Sequence, residues 1–171
     1  MPNYQTRISL ETGILMENLR RHYQKRTGSY VSKGECLMLA YRETASNTDW
    51  QMNFEKPMPT VEDITTIDSV SKFLNIQITT EVQEGIQKLK LDLPKLIGTH
   101  TVTIGVVIRE ILKAAYIKDT QSSTLKRVEM IFDQTRDELD SSGVVFKIND
   151  VIDILGNVEK DILNLLKNDI L

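Results

Sequence analysis

The chain has 171 residues, a net charge of −3, 40% hydrophobic and 26% charged residues, which is the composition of a globular protein. Its one cysteine, Cys36, cannot form an internal disulfide, and no apolar run reaches the roughly 18 residues that a membrane span needs. The N-terminal residues also lack the pattern of a secretory leader. We therefore expect a cytoplasmic protein that does not cross a membrane.

Recognisable catalytic and metal-binding motifs are missing from the sequence. His22 and His100 lie far apart, and neither falls within a Cys/His ligand spacing. The chain has no phosphate-binding glycine loop, nucleophile elbow or zinc-binding HExxH motif. We predict no metal, no cofactor and no catalytic residues. A pair of catalytic carboxylates distant in sequence is the alternative that remains open.

The first 44 residues predict a strand followed by two helices. Residues 4–10 alternate between apolar and polar side chains, as in a half-buried strand. A helical stripe follows and ends near Gly28, since glycine readily adopts the left-handed conformation at a helix end. Ser32 and Glu35 have the spacing of a capping box, which predicts a second helix to about Thr44.

Residues 45–72 form a predicted linker, and the same order of elements then returns. Residues 73–79 alternate as a strand, and a helical stripe follows as far as Gly98, with Pro94 expected to kink or end the helix. A last helix begins at Val102–Gly105 and continues through Ala115. In the linker, the large apolar side chains of Trp50 and Phe54 are expected to pack against the repeats.

The two repeats align with different offsets in their strands and second helices. Matching Ile8–Leu10 to Ile76–Ile78 gives 68, whereas matching Val31–Gly34 to Val102–Gly105 gives 71. This alignment predicts three extra residues in the first helix or turn of the second repeat. A lone strand with two short helices buries little area, so each repeat needs a partner strand.

The C-terminal third differs from the repeats in pattern and charge. From Thr124, five apolar or neutral residues recur at spacings that alternate between three and four: Leu125, Val128, Phe132, Thr135 and Leu139. This spacing is typical of a helix packed lengthwise on another helix. Residues 144–146 resemble a strand, and two amphipathic stretches follow. Residues 120–171 carry ten acidic and six basic side chains. We interpret them as an oligomerisation or partner-docking module; the alternative is that they cap the core of the repeats.

The order strand, helix, turn, helix with a capped second helix resembles the ribbon-helix-helix superfamily of DNA-binding proteins, the Arc and MetJ type. The resemblance covers residues 4–44 and 73–118. It implies that the two strands form a two-stranded antiparallel ribbon whose outward side chains enter the major groove of DNA. In this chain the family's dimer would be a tandem pseudo-dimer.

The outward strand faces carry side chains of the types that read bases. If Ile8 and Leu10 point inward in the first strand, as Ile76 and Ile78 do in the second, the opposite face holds the polar side chains. Arginine pairs with guanine, asparagine and glutamine with adenine, and serine and threonine adapt to either. The predicted base-binding residues are Gln5, Arg7, Ser9, Asn75, Gln77 and Thr79, and none is acidic. Polar residues facing water on an open sheet are the alternative.

The start of each second helix is the predicted phosphate-binding site. Helix N-termini attract anions, and the family resemblance assigns this contact to Ser32 and Lys33 in the first repeat and to Thr103 and Ile104 in the second. Helix capping alone would also explain Ser32 and Thr103. Residues 1–44 contain seven basic and four acidic side chains, and residues 73–119 contain six and five, so the basic excess lies on the repeats.

We therefore predict a mainly α protein with a short ribbon and a helical C-terminal module. The predicted domains are two ribbon-helix-helix units, residues 1–44 and 73–119, the linker 45–72 and the module 120–171. The expected partner is double-stranded DNA, bound sequence-specifically by an accessory factor of plasmid conjugation or by a transcriptional repressor. A helical protein-interaction module, such as a scaffold or a toxin-neutralising partner, is the alternative.

Overall fold

A computed structural model describes residues 3–46, 48–61, 73–141, 153–154 and 156–164. Within these ranges the protein is mainly α-helical with one short two-stranded sheet, as the sequence predicts. The elements in chain order are β1 (Asn3–Arg7), α1 (Leu10–Thr27), α2 (Lys33–Thr44), α3 (Trp50–Glu55), β2 (Phe73–Gln77), α4 (Thr80–Ile97) and α5 (Ile104–Ser141).

Matching caps delimit α1 and α4. Ser9 caps the start of α1 and Thr79 caps the start of α4, and the side chain of each accepts a hydrogen bond from the backbone N–H three residues later. Both helices end at a glycine in the left-handed conformation, Gly28 with φ 67° and Gly98 with φ 69°. The capping box of α2 is confirmed as well, with Ser32 and Glu35 bonding each other's backbone N–H.

Pro94 does not end its helix, because α4 continues to Ile97, and a kink at Pro94 stays a prediction. Pro94 lies in the last turn of α4, where the missing N–H removes only one bond of the helical ladder. Its carbonyl still accepts the capping bond from the Gly98 N–H, and its ring is buried. The helix therefore ends at Gly98, where the sequence also places its end.

The strands β1 and β2 pair with each other in antiparallel orientation within the one chain. Asn3 lies opposite Gln77, and the register continues to Arg7 opposite Phe73. The first strand ends three residues earlier and the second two residues earlier than the alternation predicts, since Ser9 and Thr79 already cap the following helices. The prediction that Leu10 points inward is also wrong, because Leu10 begins α1 and is 52% exposed.

The recurring elements are offset by 70 residues rather than the predicted 68. Asn3–Arg7 corresponds to Phe73–Gln77, and Leu10–Thr27 corresponds to Thr80–Ile97. The second helices begin 71 residues apart, so the second repeat has one extra residue, in the turn before α5. The predicted alignment failed because a period-two pattern matches itself equally well after a shift of two residues.

Two glycines bring the second helices against the ribbon. A methyl group on Gly34, in the first turn of α2, would overlap the backbone carbonyl oxygen of Gln77 at the end of β2. A methyl group on Gly105, in the first turn of α5, would overlap the carbonyl oxygen of Arg7 at the end of β1. The start of each second helix therefore lies at the end of the strand from the other repeat.

A single core lies beneath the ribbon and unites both repeats. It includes Tyr4 and Leu74 from the strands, together with residues of α1, α2, α4 and α5. The largest fully buried side chains of the described residues are those of Tyr23, Leu15, Met16, Leu19, Leu37, Ile78, Ile86, Leu93, Ile108, Ile111, Leu112 and Glu110, all but the last of them in this core.

Buried charges attach the short helix α3 to α5. The carboxylate of Glu110 is fully buried and lies 2.9 Å from Lys113 Nζ and 2.9 Å from the Arg109 guanidinium. The Asn53 side-chain amide donates to the same carboxylate over 2.9 Å and to the Glu110 carbonyl over 3.2 Å. Lys113 also donates to the carbonyl of Lys56 over 3.0 Å.

The predicted packing of the linker is confirmed where the structure describes it. Trp50 packs against the core, and the Phe54 ring lies 5.9 Å from the Arg109 guanidinium and 6.0 Å from Lys113 Nζ. The helix α3 was not predicted from the sequence. Residues 62–72 of the linker lie outside the described residues.

The chain divides into two compact units, residues 1–117 and 118–171. The second unit contains the later part of α5 and a helical stretch at residues 156–164. α5 continues across residues 119 and 120, where the pattern predicts a domain boundary, because no glycine or proline interrupts residues 106–141. The strand-like residues 144–146 lie outside the described residues. No described helix is both long and apolar enough to span a membrane.

Substituting Gly34→Ala should destabilise the protein, because the new methyl group collides with backbone rather than with a movable side chain. Overpacking of this kind costs about 1–3 kcal/mol. Gly105→Ala should behave alike, whereas Gly156→Ala, which meets nothing within 4 Å, is the matched control. Thermal unfolding followed by circular dichroism measures the effect. Equal midpoints for Gly34→Ala and Gly156→Ala would refute the close approach.

Removing the carboxylate of Glu110 should leave the Lys113 ammonium buried without its negative partner. Breaking one side of a buried ion pair costs about 3–5 kcal/mol, so we expect Glu110→Ala to lower the free energy of unfolding by that amount. Exposed Glu84→Ala is the control, with an expected change within about 0.5 kcal/mol. The double variant Glu110→Leu with Lys113→Met should recover most of the loss in urea denaturation. A loss in the double variant as large as that in Glu110→Ala would contradict this explanation.

Candidate nucleic-acid interface

The ribbon of β1 and β2 has one buried and one exposed face. Tyr4, Leu74 and Ile76 point into the core and are between 3% and 6% exposed. The opposite face, which we call the ribbon face, consists of six exposed side chains without a carboxylate: Asn3, Gln5, Arg7, Phe73, Asn75 and Gln77. In the register, Asn3 lies opposite Gln77, Gln5 opposite Asn75, and Arg7 opposite Phe73.

The structure places four of the six predicted base-binding residues together on the ribbon face: Gln5, Arg7, Asn75 and Gln77. The other two, Ser9 and Thr79, lie after the strands, and their hydroxyl oxygens accept the capping bonds from Thr12 and Val82. Their placement on the strand face was wrong because strand alternation was continued into the helix caps. A DNA contact by either residue stays a prediction.

The sequence-based interpretation missed Asn3 and Phe73 on the ribbon face. The same alternation that selected Gln5 and Asn75 extends to both, one step further from the helix in each strand. Asn3 was missed because the strand was started at Tyr4. Phe73 was missed because an apolar residue on an exposed face does not stand out when only polar residues are considered.

Arg7 and Phe73 form a contact at one end of the ribbon face. The Arg7 guanidinium carbon lies 4.9 Å from the centre of the Phe73 ring, within the range of a cation–π interaction. Phe73 nevertheless keeps 58% of its surface exposed. In the part of the chain that the structure describes, no carboxylate pairs with Arg7, so its N–H donors remain available.

The start of α2 lies beside the other end of the ribbon face. The Ser32 hydroxyl accepts from the Glu35 N–H over 3.2 Å, and the Glu35 carboxylate accepts from the Ser32 N–H over 2.8 Å. The next two amides, those of Lys33 and Gly34, lie in the first turn, where no carbonyl of the helix can accept from them. Lys33 Nζ lies 3.2 Å from Glu17, which also pairs with Arg20 over 2.7 Å.

The start of α5 has the same kind of hydroxyl cap as the start of α2 but carries no basic side chain. Thr103 Oγ1 accepts from the Val106 N–H over 3.3 Å, as Ser32 accepts from Glu35. Ile104 takes the position that Lys33 has in α2, and it packs partly against the core. All four predicted phosphate-binding residues therefore lie at the starts of the second helices.

A cleft of about 630 Å³ joins the ribbon face to the start of α2. Its walls include Asn75 and Gln77 from the ribbon, Ser32 and Lys33 from α2, and Tyr30. Arg20 and Arg21 complete the positive charge, so that three basic side chains and one carboxylate, Glu17, line the cleft. This arrangement suits a polyanion that presents groups for hydrogen bonding along its surface.

No group of three potential metal ligands occurs among the described residues. Cys36 is fully buried, and burial together with the nearby Glu17 carboxylate raises the pKa of its thiol to about 12. The thiol therefore stays protonated at neutral pH and is a poor nucleophile.

No protein-family model, no curated protein and no solved structure matches this chain.

The capping box of α2 should make stability depend on pH. The hydrogen bonds that Glu35 accepts from Ser32 lower the pKa of its carboxyl group below the ordinary value. A depressed folded-state pKa gives stability that is present above the unfolded pKa and is lost as the pH falls through the folded one. Glu35→Gln should flatten this acid limb in pH-dependent thermal unfolding. Exposed Glu11→Gln in the first turn of α1 is the control, and an equal flattening by both would contradict the assignment.

Proposed function

We propose that this protein binds double-stranded DNA sequence-specifically, as a tandem ribbon-helix-helix pseudo-dimer whose ribbon face enters the major groove. The observation that carries the proposal is the ribbon face itself. It presents six exposed side chains without a carboxylate and is flanked at its two ends by the N-termini of α2 and α5. A two-stranded ribbon fits the major groove of B-DNA.

The composition of the ribbon face supports readout of base edges. Arg7 can donate two hydrogen bonds to guanine, and four of the remaining side chains are amides that can pair with adenine. Polar residues facing water would explain the alternation equally well. They do not explain why all six positions lack a carboxylate in a chain that contains more acidic than basic residues.

The helix starts support phosphate contacts on either side of the groove. The close approach of Gly34 to Gln77 and of Gly105 to Arg7 gives each end of the ribbon one helix N-terminus. Amides at such a terminus carry partial positive charge and bind phosphate oxygens. In this proposal, Lys33 exchanges its contact with Glu17 for a contact with DNA. Ser32 and Thr103 then serve as caps that hold the amides in place.

In this proposal, the acidic C-terminal residues 120–171 bind a protein partner or a second copy of the chain rather than DNA. Their ten carboxylates would be repelled by phosphates, whereas helical segments suit self-association or a protein partner. A protein that binds DNA through one part and a partner through another fits both roles proposed here, accessory factor in plasmid conjugation and transcriptional repressor. The genomic position of the bound site distinguishes the two roles, because an accessory factor would bind at a transfer origin and a repressor would bind beside a promoter.

Selection from a random duplex pool, followed by titration at several salt concentrations, tests the proposal. We expect one enriched sequence, with the logarithm of the binding constant falling steeply as the logarithm of salt rises. Arg21→Ala, in the cleft, should reduce that slope by about 0.9 per lost phosphate contact. Arg42→Ala removes the same charge near the far end of α2 and should leave the slope unchanged.

Absence of both enrichment and salt-dependent binding would refute DNA binding and favour a helical protein-interaction module. Equal slopes for the Arg21→Ala and Arg42→Ala variants would instead remove the cleft from the interface.

A further inference from the structure

The two ends of the ribbon face differ in chemistry. At one end Asn3 lies opposite Gln77, which gives a pair of amides. At the other end Arg7 lies opposite Phe73, which gives a cation stacked on an aromatic ring at 4.9 Å. Gln5 and Asn75 lie between them. A two-fold rotation about this central pair would therefore exchange unlike side chains.

The starts of α2 and α5 differ in their basic side chains, and the more basic start lies at the end of the ribbon face that lacks Arg7. Gly34 places the start of α2, with Lys33 and the basic cleft, at the amide end. Gly105 places the start of α5 at the Arg7 end, where Ile104 stands in the position of Lys33. With the offset of 70 residues, the counterpart of Arg21 is Leu91, which is 70% exposed. Arg20 keeps a basic counterpart in Lys90, so the start of α2 exceeds the start of α5 by two basic side chains, Arg21 and Lys33, at the end whose ribbon residues are neutral.

The exposure of Phe73 is notable because the other large apolar side chains of the strands are buried. Tyr4, Leu74 and Ile76 all face the core, whereas Phe73 remains 58% exposed with Arg7 against its ring. An aromatic ring at this position limits the rotamers of the guanidinium and leaves an apolar surface beside it. A base pair bound at this end would contact both the guanidinium of Arg7 and the apolar surface of the Phe73 ring.

Resting on the DNA binding proposed above, we propose that the DNA site is directional and that Phe73 is a specificity-determining residue. At one end, Arg7 donates two hydrogen bonds to a guanine and Phe73 packs against the 5-methyl group of a neighbouring thymine. At the other end, α2 and the basic cleft hold the phosphates, and the amides of Asn3 and Gln77 add a weaker preference for adenine. One half of the site is thus read mainly through bases and the other is anchored mainly through the backbone.

Replacing thymine by uracil tests the role of Phe73, since the two bases differ only in the 5-methyl group. The probes are the duplex selected by the wild-type protein and copies with each thymine in turn replaced by uracil. At one position next to the guanine, the replacement should weaken wild-type binding about fourfold, the factor expected for burial of one methyl group. The Phe73→Ala variant should bind both duplexes equally.

Variants at the two ends test the direction of the site. Arg7→Lys keeps the charge but loses the bidentate geometry, so it should lower affinity about tenfold and relax the preference for guanine in one half only. Gln77→Ala, at the opposite end, should relax the weaker preference for adenine in the other half and leave the guanine, and the thymine beside it, as strongly preferred as in the wild type. Ile104→Lys should strengthen binding to any duplex and steepen the salt slope by about 0.9, without altering those preferences.

The outcomes separate this inference from the proposed function. If the wild-type protein binds DNA but no uracil replacement weakens it, Phe73 does not read a methyl group. Equal relaxation of both halves by Arg7→Lys would overturn the direction of the site, while salt-dependent binding would still support the function. If no duplex is enriched and binding does not depend on salt, the proposed function fails as well. The uracil measurement uses the wild-type protein and does not depend on the folding of any variant.

Discussion

The pairing of β1 with β2 is the constraint on which the rest of the structure depends. Each strand has five residues and would expose unpaired N–H and C=O groups if it stood alone. A two-stranded ribbon is itself marginal in water and needs helices packed on one face. The chain meets both needs by placing the partner strand 70 residues away and by burying Tyr4 and Leu74 against helices from both repeats. Neither repeat therefore completes its sheet or its core without the other.

The pairing also determines where the second helices begin. Gly34 and Gly105 contact the carbonyls that end the strands of the opposite repeat, so the register of the ribbon and the positions of α2 and α5 are coupled. A shift of the register by one residue would place Tyr4 and Leu74 on opposite faces of the ribbon and would separate the helix starts from the strand ends. The candidate interface consequently depends on contacts that lie beneath it.

Local signals in the sequence were sufficient for most element boundaries. Ser32 with Glu35, and the glycines at 28 and 98, predicted helix starts and ends because a cap is a property of a few neighbouring residues. The predicted repeat offset of 68 was wrong because apolar alternation repeats every two residues, so the pattern alone cannot distinguish an offset of 68 from one of 70. The attachment of Asn53 to Glu110 could not be predicted, since nothing in either segment indicates a partner 57 residues away. Four of the six expected ribbon residues lie on one face, and the two errors come from the point where the strand pattern passes into a cap.

The two ends of the ribbon can differ because both strands belong to one chain. In a symmetric dimer a substitution changes both ends at once, so an aromatic residue at position 73 would be accompanied by its copy on the other strand. In this chain Asn3 and Phe73 occupy equivalent positions with different side chains, as do Lys33 and Ile104. The charged set of Arg109 with the buried Glu110 and Lys113 shows the same difference between the repeats, because its counterparts at the offset of 71 are Met38, Leu39 and Arg42. Glu110 accepts a hydrogen bond from Asn53 in α3, and Lys113 donates one to the carbonyl of Lys56 directly after α3. The helix α3 lies in the segment that connects the two repeats. Because both repeats lie in one chain, neither the ribbon face nor the core has to be symmetric, and the linker packs against the repeat that contains Glu110 and Lys113.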